Sequence, residues 1–419
     1  MTKKDDFSLF TGSSTIVSRK ETIIEKTTFR AMFLGLVPLF VIAHTGHHIV
    51  SALLTPLLPF IRSDFSLDYT RVGMLVSAYS LAYGVSQLPA GWLADRIGPR
   101  IVLTCGVSGV ALAGIIAGLS PYYSLLAGML ILMGIMGGGY HPAASPLVSA
   151  AVETRYRGRA LGIHQVGGSL SFFSAPLIAA GLTAVLGWRG TFLAVSIPTF
   201  IFGIIFYLLL GRLDNGRDSK KSPGESTETE DGSAFDTRRR MSAVLICGIT
   251  VMVSLYSTIS FIPLYLVDAF GISGEKAAAM LALCLSGGLW AGPLAGFVSD
   301  RIQRKVPVIL AAGLIGGPAV FMMNVIPYGW VFFGLLMIVG MSQNLNLPIV
   351  EAYVISNTSR KRRSTILGIY YFGSRGGTGV AAPIIGLLID RYGFYASFTL
   401  VAVTIVTVTI VCGIFMRRS

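Results

Sequence analysis

The chain has 419 residues, of which 53% are hydrophobic and 13% charged, and its mean hydropathy is +0.70. So little charge, with apolar runs near 20 residues recurring throughout, excludes a soluble globular domain and points to a polytopic membrane protein. A net charge of +13 in a soluble protein would suggest nucleic acid; here the charges punctuate the apolar runs, so they set topology, and the partner expected is the lipid bilayer, not nucleic acid.

Residues 1–30 are polar and lack the short apolar core of a cleaved signal peptide, so they read as a cytoplasmic N-terminal segment. Polar breaks then divide the chain into twelve apolar segments. Their predicted bounds are 31–61, 70–94, 101–119, 122–152, 159–186 and 190–211, then 241–267, 275–299, 306–326, 329–356, 365–389 and 394–416. Each is long enough to cross ~30 Å of hydrocarbon as a helix. Residues 212–240 are polar and rich in Ser, Glu and Asp, which makes them a flexible cytoplasmic linker between a half at 31–211 and a half at 241–419. Cys105, Cys247, Cys284 and Cys412 lie inside apolar runs and form no disulfide or metal-type pattern.

Lys and Arg placement orients the spans. With the N-terminus inside, 27 of the 33 basic residues fall in inner segments, five in outer loops, and only Arg375 within a span. Both termini are therefore expected in the cytoplasm, in a cell (inner) membrane.

The halves match at an offset of about 205 residues. Gly91–Arg100 (GWLADRIGPR) pairs with Gly296–Lys305 (GFVSDRIQRK), Gly162–Gly181 with Gly368–Leu387, and Pro142 with Pro348. A duplicated six-span unit with a linker is a transporter architecture whose site lies between the halves. GWLADRIGPR resembles the loop signature of the major facilitator superfamily. Within that superfamily, YHPAAS at Tyr140–Ser145 followed by HQVGGSL at His164–Leu170, with His44 in the first span, is similar to the fosmidomycin-resistance-type exporters. The resemblance implies an all-α membrane protein of twelve transmembrane helices in two pseudo-symmetric six-helix halves. It also implies that Asp95, Arg96 and Arg100, with Asp300 and Arg301 in the second copy, form a gate on the inner side that holds one conformation and breaks in the other.

Ionisable side chains at bilayer depth are costly and line cavities. The chain has seven: His44, His47, His48, His141, His164, Glu351 and Arg375, which include all five of its histidines. At 100° per residue, His44, His47, His48, Ser51 and Thr55 fall on one face of the first span, expected to look onto water between the halves. Histidine titrates near physiological pH, so His44, His48, His47 and His164 are candidates for proton coupling, and His44, His48 and His141 for substrate contact. The plainer reading is hydrogen bonding across helices, and a third is divalent metal at His spaced i, i+3 and i+4. Arg375 keeps its charge and needs a counter-charge, either a substrate carboxylate or phosphonate, or Glu351. Glu351 either carries protons or braces the inner gate. Tyr371, Asn344 and Gln343 are further candidate contacts. No nucleophile–base pair or cofactor motif is present, so no enzyme, cofactor or resident metal is expected. The function expected is proton-coupled export of a small organic anion or anionic antibiotic by a monomer. Anion uptake, divalent metal export and a transporter-like sensor are the alternatives.

Overall fold

The computed structural model describes residues 35–153, 156–214, 234–301, 305–358 and 360–416. Among these every regular element is helical, as a bilayer requires of a single chain that must satisfy its backbone polar groups internally. We number the helices α1 (Leu36–Phe65), α2 (Tyr69–Ile97), α3 (Pro99–Gly118), α4 (Tyr123–Ala150), α7 (Ala234–Phe270), α8 (Gly274–Arg301), α9 (Val306–Met323) and α10 (Trp330–Asn357). Two longer stretches, Arg157–Asp214 and Arg360–Met416, are each two helices run together. They break at Gly187 (φ 65°) and Gly393 (φ 77°), where an L side chain would be strained. They are therefore α5 (157–186) with α6 (188–214), and α11 (360–392) with α12 (394–416). The same pairing of turns recurs after the first span of each half, where Ser66 (φ 51°) and Gly271 (φ 64°) end α1 and α7 in the left-handed region. The duplication read from sequence is thus a duplication of backbone turns.

Three spans are interrupted where the sequence weakens the helix. In α1 the break comes at Leu53, followed by Pro56 and Pro59. In α3 one turn widens to a π-helix over Cys105–Gly109. In α4 the helix stops at Gly137 and restarts at Tyr140, with Gly138 and Gly139 between. Pro142 then sits in the first turn of the new segment, where a missing N–H costs nothing.

Outward faces are apolar. Ile201 and Leu208 of α6 and Val403 and Ile414 of α12 are more than half exposed, surface that a soluble protein would bury and that lipid covers. The first half has its own core around Phe40, Tyr140 and Phe206. α7 begins at Ala234, ahead of the predicted 241, because Arg238–Arg240 continue the helix beyond the apolar layer.

The halves are closed on each other at the end where Ser66, Gly187, Gly271 and Gly393 turn the chain, opposite the start of α1 and the end of α12. Arg62 of α1 donates to Asp268 of α7 at 2.5 Å, and Tyr69 of α2 donates its hydroxyl to the same carboxylate. Asp390 of α11 accepts from the backbone amides of Tyr69 and Thr70 and from the Thr70 hydroxyl. From there α2 and α11 run together into the middle of the molecule through glycines. A Cβ on Gly73 would meet the Ala382 carbonyl oxygen at 2.5 Å, and one on Gly84 would meet the Gly376 amide nitrogen at 2.8 Å.

Candidate functional site

Below this seal lies a cavity of about 60 Å³ walled by both halves. His48 of α1, Tyr79 and Tyr83 of α2 and Phe172 of α5 face Tyr256 of α7 and Arg375 of α11. The space suits a few waters; a sugar acid needs the halves to part. A larger groove, near 440 Å³, lies between α7 and α12 around Arg239, Ile246 and Val411. It is apolar and carries none of the candidate chemistry.

The Arg375 guanidinium lies 4.5 Å from the ring centroid of Tyr256 and 5.8 Å from that of Tyr83. Aromatic faces from both halves thus hold the cation by their quadrupoles. Among the described residues no carboxylate lies within ion-pair distance of it. Glu351 of α10 instead accepts a hydrogen bond of 2.5 Å from the Tyr371 hydroxyl. Of the two partners open to Arg375 in the sequence, Glu351 is engaged elsewhere, and Tyr371 contacts Glu351 rather than the cavity.

The stripe on α1 is split. His48, Ser51 and Thr55 line the cavity, whereas His44 and His47 point into the first half and are buried. His44 lies one turn further from the cavity and His47 on the edge of the stripe, so α3, α4 and α5 cover both. The His44 Nδ1–H donates to the His164 carbonyl at 2.8 Å. The His47 Nδ1–H donates to the Gly106 carbonyl at 2.7 Å, within the π-helical turn of α3, where such widening leaves carbonyls available. All five histidines converge. His164 stacks on His44 with centroids 4.3 Å apart, and Tyr140 stacks on His47 at 4.4 Å. His141 stands nearly perpendicular to this stack, and its Nε2 lies 3.2 Å from that of His48. The paired glycines of HQVGGSL make the approach possible: a Cβ on Gly168 would sit 2.9 Å from His44 Nε2.

In α10, Asn344 donates to the Gln343 side chain and to the Gly340 carbonyl, both at 2.8 Å. Gln343 is buried and its amide reaches the Met252 sulfur at 3.8 Å. Neither lines the cavity; they tie α10 to itself and to α7. At the opposite end from the seal, Asp95 is exposed and has no ion-pair partner among the described residues. Arg96 lies over the Trp92 ring at 4.5 Å. Arg100 donates to the Tyr207 carbonyl at 2.8 Å with its guanidinium 3.7 Å from that ring. The Asp300 and Arg301 side chains lie outside the described residues.

Sequence reasoning missed Tyr256, Tyr79 and Tyr83. Tyr79 and Tyr83, one helical turn apart beside Ser80 and Ser86, carried a signal, a polar and aromatic face on a span otherwise built of Leu, Val and Ala. Tyr256 had no comparable mark.

The family model of the Major Facilitator Superfamily matches residues 40–289 and 244–419. The chain is 24% identical over 371 residues to the cis,cis-muconate transport protein of Acinetobacter baylyi, covering 86% of this chain and 88% of that one. It is 26% identical over 259 residues to the probable L-galactonate transporter of Escherichia coli, a match spanning 58% of this chain and 56% of that protein. Among solved structures, a bacterial homolog to the human lysosomal transporter Spinster, in an inward-facing and occupied conformation, superposes with a TM-score of 0.74. That pair shares 16% identity over 91% of this chain and 95% of the other. Fold, duplicated halves and family match agree: the chain belongs to the Major Facilitator Superfamily and is a membrane transporter, not an enzyme.

Proposed function

We propose that the chain is a proton-coupled carrier of small organic anions that works by alternating access, with both termini in the cytoplasm of a cell (inner) membrane. One observation carries the reading. Arg375 lies between the halves, faced by Tyr256 and Tyr83, with no carboxylate in ion-pair distance among the described residues. A permanent cation in a low-dielectric cavity needs an anion, and its planar fork suits a carboxylate or phosphonate. Two relatives are named for carboxylates, muconate and galactonate. His48 across the cavity supplies a second contact.

The proton belongs on Glu351 in this reading. His44, His47 and His164 are held in hydrogen bonds and ring stacks inside the first half. Glu351 bonds Tyr371, one turn from Arg375 on α11. Protonating Glu351 changes what Tyr371 holds, and with it the anchoring of the helix that carries the anion site. By the basic-residue asymmetry the sealed end is the outer one, and Asp95 belongs to the inner gate. Export is the direction inferred, on the similarity of YHPAAS and HQVGGSL to fosmidomycin-resistance-type exporters.

The test is transport into proteoliposomes under an imposed pH gradient, with a dicarboxylate, a sugar acid, the matching neutral sugar and an organic cation. The anions are expected to accumulate against the direction of proton flow for export, or with it for uptake. The neutral sugar and the cation are not. Arg375→Ala abolishes anion transport, and unchanged anion transport in that variant overturns the reading.

A further inference from the structure

We propose that His44, His48 and His141 form a binding site for a divalent transition-metal ion of the zinc class, built inside the first half and open toward the central cavity. It does not depend on the substrate reading above. One ring nitrogen from each of the three lies within 4.8 Å of the others. His44 and His48 are spaced i, i+4 on α1, the spacing that places two imidazoles on one helix face toward a single ion. The third ligand comes from α4, where the break at Gly138 and Gly139 restarts the helix and sets His141 in its first turn.

The nitrogens are arranged as a metal needs them. His48 Nε2 and His141 Nε2 are 3.2 Å apart. Two nitrogens bound tetrahedrally at about 2.0–2.1 Å are separated by about 3.3 Å. His44 is oriented from behind. Its Nδ1–H donates to the His164 carbonyl, so the lone pair is on Nε2, and donation from the far ring nitrogen to a carbonyl is the usual support of a metal-bound imidazole. That Nε2 is buried and has no hydrogen-bond partner. Gly168, which has no side chain, keeps the space against it clear.

Three neutral imidazoles with no carboxylate or thiolate select Zn²⁺, Co²⁺, Ni²⁺ or Cu²⁺ over Mg²⁺ and Ca²⁺. His48 lines the cavity, so an ion held by the cluster is reached from that side. Arg375 lines the same cavity. An anion entering the cavity would therefore meet both cations.

The experiment uses the full-length chain, purified without a histidine tag in detergent and without added organic anion. Zn²⁺ is titrated against a competing chelator dye, and Co²⁺ binding is followed by absorption. One saturable ion per chain is expected, and Zn²⁺ raises the melting temperature because it binds the folded form. His48→Ala and His141→Ala each weaken binding by at least about tenfold and remove the melting shift. His141→Cys keeps a ligand, binds Co²⁺ and adds a thiolate-to-cobalt charge-transfer band in the near ultraviolet. The proposal is overturned by a wild-type chain with no saturable site, by equal affinity in the two alanine variants, or by a cobalt-loaded cysteine variant lacking that band.

Discussion

Asp390 on α11 caps Tyr69 at the start of α2, accepting its backbone amide at 2.9 Å. The same carboxylate takes the Thr70 amide at 2.8 Å and the Thr70 hydroxyl at 2.6 Å. A helix of one half is thus finished by a residue of the other. Helix N-termini favour negative charge and need acceptors for their free amides, so the bond contributes only while the halves are closed at this end.

Asp390→Ala therefore weakens one conformation and leaves the other alone. Losing charge-assisted bonds to two amides costs about 1.5–3 kcal/mol, a shift of roughly ten- to a hundredfold in the balance of states. Labelling of a cysteine placed at Ser80, in the cavity wall, by a membrane-impermeant maleimide from outside the cell rises accordingly. An unchanged labelling rate counts against the latch.

The glycine seam below it makes a parallel prediction by a different force. Gly84→Ala puts a Cβ 2.8 Å from the Gly376 amide nitrogen, where backbone, not a flexible side chain, must move. Overpacking of this kind costs about 1–3 kcal/mol. The same labelling assay is expected to move in the same direction as with Asp390→Ala. The two sites are separated along α2, so the double variant should show nearly the summed free-energy shift.

At the cavity, Tyr256→Leu removes the ring 4.5 Å from the Arg375 guanidinium while keeping an apolar wall. A cation–π contact of about 0.5–2 kcal/mol positions the cation for its anion, so KM for a transported carboxylate rises by roughly two- to thirtyfold. Arg375→Lys keeps the charge but loses the planar fork, and recovers only part of the transport lost in Arg375→Ala. Concentration dependence of uptake in proteoliposomes reads both.

Glu351 and Tyr371 separate coupling from binding. Glu351→Gln removes the titrating group and retains a hydrogen-bonding amide. It is expected to abolish accumulation driven by a pH gradient while leaving anion-for-anion exchange. Tyr371→Phe removes only the 2.5 Å bond, and shifts the pH dependence of transport without abolishing it. Loss of exchange in Glu351→Gln places that carboxyl in the anion site instead.

The spans were legible because hydropathy and backbone satisfaction leave a bilayer protein few options, and the duplication because turn residues recur at matching places. Arg375 stood out as the one basic residue inside a span. Its surroundings did not, because helix rise gives depth on one helix and says nothing about which neighbour turns toward it. Glu351 stood open as the counter-charge of Arg375, and its partner is Tyr371 instead. The α1 stripe was drawn with too broad a face: angular position alone does not show that α3, α4 and α5 cover His44 and His47. The Gly106 carbonyl that receives His47 depends on a π-helical turn in CGVSG, a stretch with no sequence mark beyond its glycines. Gln343 and Asn344 looked like cavity residues because amides in apolar helices usually are, yet they satisfy each other and Gly340 locally.

The aromatic cradle around Arg375 has a consequence for leakage. Tyrosine rings soften a guanidinium's isolation but do not cancel its charge, and enclosing an unmatched ion away from water costs several kcal/mol. An empty carrier that tried to occlude would carry that penalty through the whole passage; a loaded one would not. The leg made without cargo would then be the slow one, and anion-for-anion exchange should outrun net transport.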